Sequence, residues 1–250
     1  MNALVFAAGL GTRLKPWTLE HPKALVEVGG EPMLGRVLRR IASSGVAERV
    51  VVNVHHFAEQ VKKYLASEDF GIEVIVSDES SLLLDTGGGM ARAIELLGGA
   101  GVPLLVHNAD ILTDFPLEEM LSSHIDSEAD ATLLVAERAS SRQLLIDASG
   151  QMRGWENLTS GEVLPAGLDT RGLVARAFGG VHVVGERMQA ALLERWEASG
   201  RGAFGVMPFY IESCTQFSIR GYEPSTPYSW HDIGSPEKLA AAEKDFKRQK

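Results

Sequence analysis

Residues 3–11 read ALVFAAGLG, a short apolar run that ends at two glycines. Similar runs follow at residues 49–54, 72–76, 104–107 and 131–135. Amphipathic patterns with helical spacing lie between them, at residues 33–44, 57–66, 90–97 and 117–125. The runs are apolar at consecutive positions, which is typical of strands buried on both faces of a sheet. The alternation therefore predicts a doubly wound α/β fold around a mostly parallel sheet.

The pattern changes after residue 136. Shorter strand patterns follow at residues 144–147, 150–155, 177–184 and 217–221, and helix patterns at residues 186–199 and 236–247. No repeat and no low-complexity linker separates the two parts of the sequence. We therefore expect one domain over residues 1–250, a Rossmann-like mixed sheet with helices on both faces. Residues 137–250 form its small C-terminal β/α elaboration.

The composition excludes several classes of protein. The 250 residues include 33 Asp and Glu against 24 Lys and Arg, a formal net charge of −9, so a nucleic-acid polymer is not an expected partner. The single cysteine, Cys214, excludes an intramolecular disulfide and a cysteine-built zinc site, and it is typical of a reducing compartment. No signal-peptide pattern and no stretch of ~20 apolar residues is present. We expect a cytoplasmic protein with no membrane partner.

The loop after the first apolar run departs from the common nucleotide-binding motifs. Gly9 and Gly11 suggest a dinucleotide fingerprint, but Leu14 stands at its third glycine position. Pro16 and Pro22 also prevent a helix from starting there. A P-loop is excluded because no Gly-Lys-Ser/Thr follows the glycines.

What remains is a long irregular connection that carries Thr12, Arg13, Lys15 and Lys23. Connections of this length inside a compact fold are often functional. Glycine-rich backbone can direct N–H groups at phosphates, and Arg13 and Lys23 can neutralise their charge. A phosphate-binding loop is the interpretation we favour, and a surface loop with solvated cations is the alternative.

Five motifs in order then point to a family. Residues 9–33, GLGTRLKPWTLEHPKALVEVGGEPM, resemble the signature G-x-G-T-R-L-x-P-x-T…P-K-x-L of sugar-1-phosphate nucleotidyltransferases. The other four matches are LDTGGG at 84–89, HNAD at 107–110, FGGVHV at 178–183 and WHDIGSPE at 230–237. Together they span nearly the whole chain. Among subtypes, the sequence is similar to the N-acetylmuramate-1-phosphate uridylyltransferase and heptose-1-phosphate guanylyltransferase groups.

The resemblance implies a reaction and its reactants. A nucleoside monophosphate passes from an NTP to a sugar-1-phosphate, which gives an NDP-sugar and pyrophosphate, for example as a precursor of cell wall or polysaccharide. The phosphate nucleophile is already ionised near neutral pH, so the reaction requires positioning and charge stabilisation rather than an activated side chain. Residues 1–136 are then the nucleotide-binding half, and residues 137–250 are the sugar-binding half.

The resemblance also assigns roles to residues. Arg13 and Lys23 are expected to be catalytic, Arg13 at the β- and γ-phosphates and Lys23 at the α-phosphate. The expected nucleotide contacts are Ala8, Gly9, Gly11, Thr12, Arg13, Lys23, Thr86, Gly87 and Gly88. In this interpretation the three glycines of LDTGGG precede a helix and form a wall against the nucleobase; simple loop flexibility is the alternative. Asp110 and Asp232 are expected to hold Mg²⁺, a cation that commonly takes one or two protein carboxylates.

The sugar side is less regular. The expected sugar contacts are Asn108, Arg142, Trp155, Asn157, Gly179 and Gly180. Better-known members have a Glu-Lys pair on a middle strand, where this chain reads Trp155-Glu156-Asn157. Arg142 is a candidate for the missing charge, because a guanidinium pairs well with phosphate. For Gly179 and Gly180, a simple strand bulge is the alternative interpretation.

Two other functions stay open at this point. One is cytidylyl transfer to a non-sugar phosphate such as phosphocholine. The other is a catalytically silent module that binds nucleotide sugars. The presence of Arg13, Lys23, Asp110 and Asp232 argues against it, because a silent module has no chemical reason to retain all four. The sequence leaves the nucleobase, the sugar and the oligomeric state undetermined.

Overall fold

The computed structural model describes the backbone of residues 1–248 and the side chains of residues 1–245. Within this range the strands are β1 (Asn2–Phe6), β2 (Glu27–Val28), β3 (Glu31–Pro32), β4 (Arg49–Val54), β5 (Glu73–Asp78), β6 (Leu104–Asn108), β7 (Ile111–Thr113), β8 (Ala131–Ala136), β9 (Arg142–Ile146), β10 (Met152–Asn157), β11 (Glu162–Leu164), β12 (Val174–Val184), β13 (Ile219–Tyr222) and β14 (Trp230–Asp232). The helices are α1 (Met33–Ser44), α2 (Ala58–Ser67), α3 (Asp85–Leu96), α4 (Leu117–Asp126), α5 (Glu186–Ala198), α6 (Val206–Ser213) and α7 (Pro236–Arg248). The last two residues of the predicted domain lie outside the described range.

Ten strands form one mixed sheet. Its order is β11-β10-β9-β12-β6-β1-β4-β5, and β8 pairs with β12 and with β13. The strands β6, β1, β4 and β5 run parallel, whereas β12 runs antiparallel to β6. The predicted doubly wound, mixed sheet is confirmed. Hydrogen bonds between β12 and β6 also join the two halves of the chain, and the single domain stays a prediction.

Helices cover both faces of the sheet, as predicted. In β4, Val50 and Val52 belong to the core shared with α1, α2 and α4. Val51 between them belongs to the core shared with α3, α5 and α6. All three valines are fully buried, which explains why this strand is apolar at consecutive positions. None of the helices in the described range has the length and apolar character needed to span a bilayer.

The parallel strands end together at one edge of the sheet. Phe6, the last residue of β1, lies beside Asn53 of β4 and Asn108 of β6. The same edge of the sheet therefore carries the start of the glycine loop, the end of β4 and the end of the HNAD segment. In open α/β sheets, the carboxyl ends of the strands are where ligands bind.

Some elements differ from the prediction. The helix expected at 90–97 begins at Asp85, so the three glycines lie inside its first two turns and the expectation that they precede it was wrong. Packing explains why glycines lie in this helix, because a Cβ at Gly87 would lie 2.3 Å from the ring of Phe204. Helix α6 was not predicted, since its sequence VMPFYIES is apolar at most positions and shows no clear helical period. The short pairs β2–β3 and β7–β14 were also missed.

Candidate active site

A cavity of about 440 Å³ opens where β1, β4 and β6 end. Its lining includes nine of the residues expected to bind nucleotide, sugar or metal: Ala8, Gly9, Gly11, Thr12, Arg13, Lys23, Thr86, Asn108 and Asp110. The structure thus brings the glycine loop, the start of α3 and the HNAD segment to one site. Their individual roles remain predictions.

The glycine loop is folded as three single turns of 3-10 helix, at Thr12–Leu14, Trp17–Leu19 and Lys23–Leu25. Gly11 has a φ of +62°, and a Cβ there would lie 2.8 Å from the Thr18 side chain and 2.9 Å from Lys23 Cβ. The Thr18 hydroxyl donates to the Gly11 carbonyl at 2.8 Å. A glycine is therefore required at this point for the loop to close over the stem of Lys23. Thr18 was not identified from the sequence.

Lys23 joins the loop to the end of β6. Its ammonium donates to Oδ2 of Asp110, and the two side chains are 13% and 26% exposed. The backbone N–H of Ala109 also donates to the Phe6 carbonyl at 3.0 Å. A predicted catalytic cation and a predicted metal ligand are therefore held in direct contact at the sheet edge.

Asp232 reaches the same place through a short strand pair. In the antiparallel pair β7–β14, Asp232 lies opposite Ile111, and the Ile233 N–H donates to the Asp110 carbonyl at 2.8 Å. Gly234 lines the cavity just beyond. A Cβ at Gly234 would lie 2.7 Å from Oδ1 of Asp232 and 2.9 Å from a terminal nitrogen of Arg13. Arg13 and Asp232 therefore both lie close to Gly234, on the side that a Cβ would occupy.

The donor set at this edge fits a hard cation. Among the described residues, no group of three or more His, Cys, Asp and Glu side chains converges as a metal site. A structural or catalytic zinc site uses three or four protein ligands, which this edge does not offer. Asp110 and Asp232 suit Mg²⁺, which completes its coordination with phosphate oxygens and water. These two residues could hold Mg²⁺ together with a phosphate ligand.

A second lysine, Lys238, was not identified from the sequence. It lies in the first turn of α7, and its ammonium is 2.5 Å from Oδ2 of Asp232. Its side chain is half exposed, and that of Asp232 is 19% exposed. It follows directly after the WHDIGSPE motif, which ends at Glu237, but no motif includes it, so only the fold shows that this lysine adjoins the site.

A buried polar bridge supports the nucleotide side of the cavity. The Asn53 side-chain oxygen accepts from the Ala7 N–H at 2.8 Å, and its amide nitrogen donates to Oε1 of Glu79 at 3.1 Å. Oε2 of Glu79 accepts from the Leu84 N–H at 3.2 Å. Asn53 and Glu79 are 2% and 1% exposed, and burial raises the pKa of the Glu79 carboxyl. The bridge connects the end of β1 to the start of α3. Its only signal in the sequence was Asn53, a polar residue inside the apolar strand at 49–54.

The start of α3 presents side chains rather than glycines to the cavity. Asp85 and Thr86 line it. Gly87 is buried, its N–H donates to the Phe204 carbonyl at 2.7 Å, and Gly88 packs near Leu84. The close approach that these glycines permit is therefore to residues of the same chain. The expectation that they form an open wall before a helix is corrected, and their contact with a base stays a prediction.

The glycine pair on the sugar side forms a bulge. The pairing of β12 with β8 shifts between Phe178 and His182, so the simpler interpretation of Gly179 and Gly180 describes the backbone correctly. Gly180 has a φ of +76°, and a Cβ there would lie 3.1 Å from the side-chain nitrogen of Asn108. The bulge therefore packs against Asn108, which lines the cavity. The role of the two glycines beside the sugar stays a prediction.

The remaining predicted sugar residues lie further away. Arg142 of β9 is paired in register with Asn157 of β10, and its side chain is exposed. Trp155 lies on the same strand pair, opposite Leu144. None of these predicted sugar residues belongs to the cavity lining found in the described part of the chain. Their contact with a sugar phosphate stays a prediction.

Another arginine, Arg138, stabilises the strand that carries Asp232. Its guanidinium stacks on the Trp230 ring at 3.4 Å and donates to the Phe178 carbonyl at 2.8 Å. The Trp230 indole N–H donates to the Gly179 carbonyl at 2.9 Å. Burial lowers the pKa of Arg138, and nearby Asp232 opposes that effect. Arg138 and Trp230 therefore tie β14 to the bulge of β12.

These features define a class of protein. A doubly wound sheet that gathers a glycine loop, two cations and two carboxylates at the carboxyl ends of its strands is built to bind and transfer phosphorylated groups. The family model described as Nucleotidyl transferase matches residues 2–144, more than half of the chain. The chain belongs to this family, the sugar-1-phosphate nucleotidyltransferases of nucleotide-sugar biosynthesis, which confirms the resemblance seen in the motifs.

Individual relatives differ in their nucleobase. An N-acetylmuramate α-1-phosphate uridylyltransferase of Caulobacter vibrioides is 30% identical over 254 residues, which cover 96% of this chain and 95% of the relative. A mannose-1-phosphate guanyltransferase of Gibberella zeae is 36% identical over 137 residues, 54% of this chain and only 37% of the relative. In fold, the chain is similar to HddC from Yersinia pseudotuberculosis complexed with GMP-PN, with a TM-score of 0.73, 19% identity and coverage of 98% and 99%.

Proposed function

We propose that the protein catalyses Mg²⁺-dependent transfer of a nucleoside monophosphate from an NTP to a sugar-1-phosphate, with release of pyrophosphate. The observation that carries the proposal is that Arg13, Lys23 and Asp110 line one cavity under a glycine loop, with Asp232 next to Gly234 of the same lining. Cations and carboxylates in this arrangement suit two phosphorylated reactants and the cation that accompanies them.

The residues support the reaction by charge and position. The sugar phosphate is ionised near neutral pH, so its oxygen needs no general base to attack the α-phosphate. Lys23 lies deeper in the loop and is the candidate to stabilise the negative charge at that phosphate. Arg13 is exposed in the first turn of the loop and lines the cavity, where it can hold the leaving pyrophosphate. Mg²⁺, held by Asp110 and Asp232, would supply further charge neutralisation.

The relatives suggest the first substrates to test. The match to the uridylyltransferase covers both chains almost completely, so UTP and N-acetylmuramate-1-phosphate are the pair we propose. The guanyltransferases match only about half of this chain, 54% in the Gibberella zeae relative, which makes GTP with a sugar-1-phosphate the second choice. Either product is an NDP-sugar suited to cell-wall or polysaccharide synthesis, and we propose that it is made in the cytoplasm.

Pyrophosphate release tests the proposal directly. The purified protein is assayed with UTP, dTTP, CTP and GTP against N-acetylmuramate-, mannose- and heptose-1-phosphates and phosphocholine, with MgCl₂ or with EDTA. We expect release with at least one pair, and none in EDTA. Release with CTP and phosphocholine alone would support cytidylyl transfer instead. Nucleotide binding without release from any pair would indicate a silent binding module.

A further inference from the structure

Each of the two carboxylates proposed to hold Mg²⁺ has a lysine as its ion-pair partner. Lys23 pairs with Asp110, and Lys238 pairs with Asp232. The guanidinium of Arg13 also lies near Asp232, since both groups are within 3 Å of the position that a Cβ at Gly234 would occupy. Four cationic groups, Lys23, Arg13, Lys238 and Arg138, therefore lie near the two carboxylates.

This balance of charge opposes the binding of a bare divalent cation. An added Mg²⁺ would displace the lysines from their carboxylates and leave them beside a cation, without partners of opposite charge. A triphosphate changes the balance, because its oxygens offer the lysines new partners. The cation and the phosphates are thus expected to enter together.

Lys238 is placed to make such an exchange. The start of α7 is anchored, since the Lys238 N–H donates to the Ser235 hydroxyl at 3.4 Å and Ala242 is buried in a small core with Val28 and Ile233. The Lys238 side chain itself is half exposed on a flexible four-carbon stem. Its ammonium can therefore leave Asp232 while the helix stays in place.

We propose that Lys238 is an exchangeable counter-ion of Asp232: it excludes a free divalent cation and moves to the triphosphate when the cation arrives with the nucleotide. The proposal rests on the function proposed above, which places the cation at Asp110 and Asp232. It adds a nucleotide-binding residue that no motif assigns, and an order in which the cation binds as its nucleotide complex.

Mn²⁺ binding to the full chain without nucleotide tests this exchange, with electron paramagnetic resonance as the readout. We expect Lys238→Met to bind Mn²⁺ at least about tenfold more tightly than the unmodified protein, because a competing cation is removed. Lys244→Met is the matched control on the same helix, exposed and without effect on Mn²⁺. Adding Asp232→Asn to Lys238→Met is expected to abolish the gain.

Nucleotide affinity gives the second readout. With Ca²⁺ replacing Mg²⁺ to prevent turnover, Lys238→Met is expected to raise the Kd of the triphosphate several-fold, and Lys244→Met to leave it unchanged. Equal Mn²⁺ affinity and equal triphosphate affinity in Lys238→Met and the unmodified protein would overturn the exchange. If the unmodified protein still turns over in Mg²⁺, the proposed function survives that result. Failure of turnover with every substrate pair would instead reject the proposed function itself.

Discussion

At the scale of single residues, the site is organised by ion pairs and by glycines that admit close contacts. Lys23 reaches Asp110 because Gly11 has no Cβ to obstruct the stem of the lysine. Gly234 similarly leaves room for Arg13 and Asp232, which both occupy the space where a Cβ would lie. The site therefore depends on Gly11 and Gly234, which leave space because they have no side chain, as well as on the charged groups.

The first prediction concerns the loop cations. Arg13→Ala and Lys23→Ala are expected to lower kcat by about 100-fold or more, because each removes charge stabilisation from the reacting phosphates. Steady-state pyrophosphate release measures the effect, and the Tm is expected to stay nearly unchanged. Lys15→Ala is the matched control, an exposed cation of the same loop outside the cavity lining described here. Wild-type turnover in both Arg13→Ala and Lys23→Ala would refute their catalytic assignment.

The second prediction concerns the buried bridge of Asn53 and Glu79. In Glu79→Gln the new amide nitrogen is a donor that faces another donor, either the Asn53 amide or the Leu84 N–H, so one hydrogen bond is lost. A buried group without its hydrogen bond lowers the free energy of unfolding by about 1–3 kcal/mol. Since the bridge positions the start of α3, we expect KM for the NTP to rise several-fold, KM for the sugar phosphate to stay constant and Tm to fall.

A buried carboxylate away from the cavity provides the control for that experiment. Asp130 accepts from the Ser218 N–H at 2.8 Å and pairs with Arg187. Asp130→Asn is expected to lower Tm without changing KM for the NTP. If both variants shift Tm and neither shifts KM, Glu79 has a purely structural role.

At the scale of elements, the two-strand pair β7–β14 joins the ends of the site. The pair is only three residues long on each side, yet it sets Asp232 beside Asp110. Arg138, Trp230 and the bulge of β12 hold β14 against the main sheet. A short strand with few backbone partners depends on such side-chain contacts for a defined position.

The third prediction follows from that contact. Arg138→Met is expected to reduce kcat by about tenfold, since a desolvated cation–π contact contributes about 2 kcal/mol and its loss leaves β14 less constrained. The Mg²⁺ concentration needed for half-maximal activity is expected to rise as Asp232 loses its position. Arg187→Met, which removes a similar stacking contact with Phe217 away from the cavity, is the control. Equal Mg²⁺ dependence in the two variants would contradict a positioning role.

At the scale of the whole molecule, the mixed sheet divides the chain into a parallel part and an antiparallel part. The parallel part ends in the glycine loop, Asn53 and the HNAD segment, and the antiparallel part supplies the bulge beside Asn108. The cavity therefore lies at the end of the parallel part, and Asn108 of its lining packs against the bulge of the antiparallel part. A ligand bound in the cavity is expected to stabilise the entire fold.

The fourth prediction is a ligand-dependent Tm. At about 100 times its Kd, a triphosphate with Mg²⁺ contributes about 2.7 kcal/mol, which for a chain of this size raises Tm by roughly 5–10 °C. Thermal shift with UTP, dTTP, CTP and GTP identifies the base, and we expect the largest shift with UTP. Mg²⁺ alone is expected to change Tm little. Equal shifts for all four triphosphates would contradict selection of the base within the cavity.

Much of this fold and part of the site could be predicted from local sequence. The parallel strands are apolar at consecutive positions because both faces are buried, and that signal does not depend on distant partners. Arg13 and Lys23 are visible because their loop is long, rich in glycine and proline, and placed after a strand. By contrast, α6 and the β7–β14 pair lack a periodic pattern, and the first turns of α3 were missed because glycines usually lower helix propensity.

The sequence by itself predicted the alternation of buried strands and helices over residues 1–136 and the loop rich in glycine and cations after the first strand, because both follow from local spacing and residue chemistry. Asp110 and Asp232 were identified through the family resemblance. Only the tertiary structure decided that Asp232 meets Asp110, that Lys238 pairs with Asp232, that Glu79 supports the start of α3 and that Arg138 holds β14. Lys238 lies only six residues after Asp232, whereas the contacts of β14 with Asp110, of Glu79 with Asn53 and of Arg138 with Trp230 join segments far apart in the chain. They are set by strand register and side-chain packing, which no local pattern encodes.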